Sequence, residues 1–140
     1  MGLVKCNEDL KVLKIKPSYY TIQGIASIFD ASMQPAEIDA ELECDKTTSL
    51  YTFRQKSSEI PLITYWDCSG HPVNENTTTP GQLTVKGVKF KEPVWVDAVT
   101  CAIYEIPEDR IAVNENTTVF SDMPVYDGPV YITEKSLVMP

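Results

Sequence analysis

Apolar and polar residues alternate along most of this chain with a period of two, the spacing that sends successive side chains to opposite faces of a β-strand. Lys11–Lys16 reads Lys-Val-Leu-Lys-Ile-Lys and stops at Pro17, which cannot continue a ladder. Tyr19–Phe29 is rich in β-branched and aromatic residues and predicts a second strand, with Gly24 as a bulge or close-packing point. Ser49–Phe53, Ile60–Trp66 and Leu83–Phe90 predict three more. Val94–Ile106 is the longest run, and both of its faces are largely apolar, so it is expected as a central strand buried on two sides. Prolines and Asn/Asp/Ser/Gly clusters interrupt these runs at the spacing of a sandwich or barrel. The expected fold is all-β: an antiparallel β-sandwich or open barrel in a single domain over residues 1–140.

Ala36–Cys44 sets period against residue type. It alternates strictly, with Ile38, Ala40, Leu42 and Cys44 on one face and Glu37, Asp39, Glu41 and Glu43 on the other. Its Ala, Glu and Leu are strong helix formers, and Pro35 suits a first helical turn. The period favours a strand, and at most one short helix is expected, near residues 35–44. As a strand it holds its carboxylates about 7 Å apart, a costly row unless lysines face it. Lys11, Lys14 and Lys16 are the expected partners.

Two internal similarities bear on architecture. Val-Asn-Glu-Asn-Thr-Thr occurs at Val73–Thr78 and again at Val113–Thr118. Asn side chains bond backbone two residues on and tolerate left-handed dihedrals, so this hexapeptide predicts one turn shape used twice. Leu13–Tyr20 also resembles Val88–Trp95, and Ala26–Asp30 resembles Cys101–Glu105 less closely. Together these raise the expectation of two related hairpin units packed face to face.

Charge and cysteine usage narrow the function classes. The net charge of −8 is concentrated in residues 92–140, where Arg110 and Lys135 are the only cations. An acidic surface repels phosphate, which argues against nucleic acid and against an anionic membrane as partners. No apolar run approaches the length of a membrane span, and the N-terminus turns acidic where a signal peptide is apolar. An intracellular or virion location is expected on that ground. Met1–Cys6 is a near miss for N-myristoylation, which prefers Ser or Thr where Cys6 stands. Cys6, Cys44, Cys68 and Cys101 are widely spaced without Cys-x-x-Cys, and are expected as free, buried thiols, with Cys44 and Cys101 as small core residues.

No complete catalytic or cofactor motif is present. Asp67-Cys68-Ser69-Gly70-His71 is the one reactive cluster, and His71 is the only histidine. A Cys–His pair needs the thiol within hydrogen-bond reach of the imidazole, a geometry that neighbours on one turn rarely reach. Glu108 and Asp109, beside Pro107 and Arg110, are expected in a solvated turn. No cofactor or metal is expected. The Asn-Thr-Thr triplets at Asn76 and Asn116 are glycosylation acceptors only in a secretory setting.

Aromatic residues are the remaining lead. Trp95 and Tyr104 are expected in the core, whereas Tyr126 and Tyr131 flank Asp127-Gly128-Pro129 and are expected, with Trp66, to line an exposed contact surface. Asn74, Asn76, Asn114 and Asn116 in the repeated loops are candidates for the same surface. The short apolar pieces of Met123–Pro140, a thin core contribution by themselves, are expected to pack on a neighbouring subunit. The function read from these features is a non-catalytic structural or protein-interaction module, an assembly component such as a virion or phage accessory domain, with self-association or a protein partner. The alternatives are a carbohydrate-binding β domain and a small cysteine-dependent hydrolase.

Overall fold

The computed structural model describes residues 2–71 and 77–139. In chain order the elements are β1 (Val4–Cys6), β2 (Val12–Ile15), α1 (Pro17–Ile28), β3 (Met33–Pro35), β4 (Asp39–Glu43), β5 (Thr48–Gln55) and β6 (Pro61–Asp67). They continue with β7 (Thr79–Lys86), β8 (Pro93–Asp97), β9 (Ile103–Glu105), β10 (Ile111–Asn114), β11 (Thr117–Val125), β12 (Val130–Glu134) and the single turn α2 (Lys135–Val138). The fold is mostly antiparallel β, a sandwich-like arrangement of a six-stranded sheet, order β3-β5-β6-β12-β8-β9, and a four-stranded sheet, order β10-β11-β7-β4. β1 and β2 form a separate two-stranded hairpin.

Period two explains both layers. Ile63, Tyr65, Val130 and Ile132 of the large sheet meet Leu83, Val85, Phe120, Met123 and Val125 of the small one, and these make the main core. The opposite faces of β6, β8 and β12 present Leu62, Val94, Val96 and Tyr131 to a second core, closed by Ile28 and Phe29 at the end of α1 and by Leu137 and Val138 of α2. β12 is therefore buried on both faces and paired on both edges, to β6 and to β8. Thr133 fits there because its Oγ1 donates to the Pro61 carbonyl at 2.7 Å.

The helix lies elsewhere than expected. Most of Tyr19–Phe29 lies in α1, and Ala36–Cys44 holds strand β4 instead. Pro17 pre-sets the first helical turn, and Thr21, Gly24, Ile25, Ile28 and Phe29 form the partly buried stripe of a helix face. Gly24 is a close-packing point, though not a bulge: a Cβ there lies 2.1 Å from the Cys101 Sγ.

Val94–Ile106 is not one strand. Asp97 Oδ1 accepts from the N–H of Val99 at 2.9 Å, the Cys101 N–H bonds the Asp97 carbonyl, and Cys101 takes a left-handed φ of 63°. The run folds into the β8–β9 hairpin, with β9 exposed at the sheet edge. Cys101 is an exposed turn residue, as Cys6 and Cys68 are exposed elsewhere, so the four free thiols are not the buried set expected. The predicted strand Leu83–Phe90 is shifted to Thr79–Lys86 and ends at Gly87, whose φ of 78° turns the chain.

The paired segments of the weaker similarity are unlike each other. Leu13–Tyr20 crosses from β2 into α1, while Val88–Trp95 is loop and β8, so no second copy of a hairpin unit arises from them. The Val113–Thr118 hexapeptide does form a turn, joining β10 to β11 with Glu115 at a φ of 54°. Most of its twin at Val73–Thr78 lies outside the described residues. The acidic row of β4 is exposed as expected, but β2 does not face it. Its neighbour is β7, where Lys86 stands opposite Asp39 while Glu41 and Glu43 oppose Thr84 and Gln82.

Candidate functional site

The residues expected to form one contact surface are dispersed. Tyr131 is 4 % exposed and belongs to the second core, and Tyr126 is half-buried against the main one. In the segment expected to pack on a neighbouring subunit, Met123, Val125 and the whole of β12 are buried in this chain's own cores. Trp66 stacks on exposed Tyr51 at 5.5 Å and 20°, on the sheet face that also carries Leu62. Trp95 is half-buried and stacks on Tyr104, which is exposed rather than core. Asn114 and Asn116 are exposed at the β10–β11 turn, where the Asn116 carbonyl accepts from Gly87 at 2.8 Å. Asn74 and Asn76 lie outside the described residues.

Burial disfavours ionisation of three phenols. Tyr65, whose hydroxyl donates to the Pro124 carbonyl, is pushed well above the ordinary range by desolvation. Tyr126 is raised by desolvation and then by the Asp97 carboxylate. Tyr131 is pushed up to about 12 by burial, with the Cys101 thiol a smaller cause. Unfolded phenols ionise near ~10. A raised folded value means that the stabilisation is complete below that pH and is lost as pH rises through 12 and beyond. Phenolate absorbance during alkaline titration should therefore show a late group of tyrosines that ionises together with unfolding. A titration finished before the fold is lost would contradict this.

The reactive cluster is not assembled as a pair. Cys68 Sγ donates to the Thr47 carbonyl at 3.4 Å and lies 3.5 Å from Ser49 Oγ. His71 instead lines a shallow hollow of about 260 Å³ with Lys46, Asp67 and Asp127. Asp67 accepts from Ser69 Oγ and N–H, which holds its carboxyl below the usual range. Glu108 and Asp109 sit in an exposed 3-10 turn. Among the described residues no group of three His, Cys, Asp or Glu side chains is placed to hold a metal. An apolar crevice of about 330 Å³ runs between α1 and the large sheet, lined by Ile28, Val96, Ala98, Ile103, Tyr131 and Val138. It is the seam of the second core.

The feature that sequence reading missed is the amino-terminal arm, residues 2–22. Asn7 builds the β1–β2 turn, its Oδ1 and carbonyl accepting from Lys11 and Leu10. Leu10 caps that turn with a φ of 63° and is 83 % exposed. A bulky side chain held left-handed costs about 1 kcal/mol and here gains no burial. Val4 opposite Ile15 and Cys6 opposite Val12 give the hairpin one apolar face, with Leu13 as the unpaired residue of a bulge between them. Lys5 opposite Lys14, with Lys16 beyond, gives it one cationic face. Tyr20 and Ile22 on α1 extend the exposed apolar area. Among the described residues the hairpin's extensive packing is between its own two strands, and such a ribbon is marginal alone in water. The only available sequence signal was Asn7 followed by an alternating stretch, and alternation does not reveal whether a face is covered.

Compared with known proteins, the chain matches no family model, no curated protein and no solved structure.

Proposed function

We propose that this protein is a non-catalytic structural module that works by holding another protein chain, an assembly component of the kind that serves as an accessory domain on a virion or phage tail, with residues 2–22 as its contact surface. The observation that supports this most is Leu10, an 83 % exposed leucine presented at the tip of a hairpin in a backbone conformation that costs free energy. Leu13 at 60 % and Val12 at 58 % exposure continue the display. An uncovered apolar ribbon of this kind marks an interaction surface more readily than a catalytic one.

The reading requires that the arm contribute little to the stability of its own chain. Substituting serine at Leu10, Leu13 and Ile15 together is expected to move the thermal midpoint by no more than about 2 °C, the scale of surface changes remote from packing. Limited proteolysis of the dilute parent chain is expected to cut first at Lys11, Lys14 or Lys16. A fall of many degrees, or an arm resistant to protease in the dilute chain, would place it in the protein's own core and end the reading.

A further inference from the structure

We infer that the partner of the arm is a second copy of this chain, and that β2 of one copy lies along the free edge of β4 of another. This rests on the arm being a contact surface. β4 is the last strand of the four-stranded sheet, and among the described residues its outer edge has no strand beside it. Its backbone groups are available for one more strand, the mode of recognition in which an extended segment adds to a sheet edge.

Charge selects which strand. Asp39, Glu41 and Glu43 project from one face of β4, and Lys86 opposite Asp39 is the one cation of β7 across from them. Two β4 edges repel each other, so the row discourages pairing of like edges and favours a basic strand. The hairpin supplies one. Lys5, Lys11, Lys14 and Lys16 against Glu8 and Asp9 make residues 2–16 +2, so the total of −8 leaves −10 on the remainder. Lys5 and Lys14 stand directly opposite each other, a repulsive cross-strand pair with no ion-pair partner among the described residues. Lys14 and Lys16 repeat at the same two-residue spacing as Glu41 and Glu43, about 7 Å, so the two rows match when laid side by side. Each row is unfavourable alone, and each supplies what the other lacks.

The contact is between copies because of where the layers lie. The arm runs into α1, which packs on the outer face of the six-stranded sheet, whereas β4 is in the other sheet, across the main core. Arm and edge are different surfaces, so two copies either exchange arms reciprocally or continue head to tail.

Sedimentation of the full chain at low salt should show a mass above the monomer that rises with concentration and falls as salt is added. K14E/K16E and E41K/E43K should each weaken self-association at least about tenfold, while the four substitutions in one chain restore it with polarity exchanged. Lys14, Glu41 and Glu43 are exposed and Lys16 is half-buried, and far-ultraviolet dichroism checks that all three variants fold. A parent chain that stays monomeric, folded charge variants that associate like the parent, or a quadruple variant that fails to recover would overturn the inference. Loss of association in L13S/I15S but in neither charge variant would keep the arm as the contact surface and remove β4 as its receptor.

Discussion

Replacing Phe120 by alanine is expected to remove about 3–5 kcal/mol of folding free energy, a large part of what a domain of this size holds in reserve. Phe120 is fully buried on β11, opposite Leu83 of β7, with its ring edge-on to Phe90 at 5.3 Å and 80°. Its side chain is part of the main core, where both sheets meet. Two causes add together: the transfer free energy of a buried phenyl ring, and the void left between sheets held apart by their neighbouring side chains. Phe120→Leu keeps most of the volume and should cost well under half as much. Urea unfolding followed by tryptophan fluorescence reads both. A cost below about 1.5 kcal/mol for alanine would mean that the sheets close over the gap, or that this position is not the centre of the core.

Glu134→Ala is expected to cost about 2–3 kcal/mol, for a different reason. Glu134 ends β12 with 8 % exposure, and its two carboxylate oxygens accept from the backbone N–H groups of Lys91 and Glu92 at 2.7 and 2.8 Å. The Lys135 N–H answers by donating to the Glu92 carbonyl at 2.9 Å. This clamp ties the loop before β8 to the strand that β8 pairs with. Alanine leaves both amides without their acceptor, and the loss comes from unsatisfied donors more than from lost contact area. Glu134→Gln keeps one oxygen as acceptor and should recover about half of the loss. Hydrogen exchange at Lys91 and Glu92 should accelerate in the alanine variant while the centre of β6 stays protected. Unchanged exchange at those two amides would show that the carboxylate does not hold them.

The sheets were legible in the sequence where period two coincided with burial on one face, as in β4, and where a short apolar run fills both faces, as in β6. β4 shows that periodicity outweighs propensity: Ala, Glu and Leu favour a helix, yet Ala40 and Leu42 pack on the core and the acids stay in water. α1 was misread for the opposite reason. Thr21, Ile22, Ile25 and Ile28 imitate a strand in composition, whereas the intervals between Thr21, Gly24, Ile25 and Ile28 are those of a helix stripe. The β8–β9 turn was hidden because Asp97 makes it without Gly, Pro or Asn. Met123–Pro140 was expected against a neighbouring subunit because its apolar residues come in short pieces between charges, and Tyr131 on a surface because it flanks a turn, although the central strand β12 needs only five buried residues. The arm was the least legible. Its alternation matches that of a buried ribbon, and only the surrounding structure reveals that nothing among the described residues covers it.

The position of β12 governs how the molecule can be made. β3, β5 and β6 lie on one side of it and β8 and β9 on the other, so the large sheet stays in two halves until residues 130–134 leave the ribosome. A nascent chain shorter than that exposes the flanks of β6 and β8 together. During synthesis these are the edges open to pairing with the wrong strand.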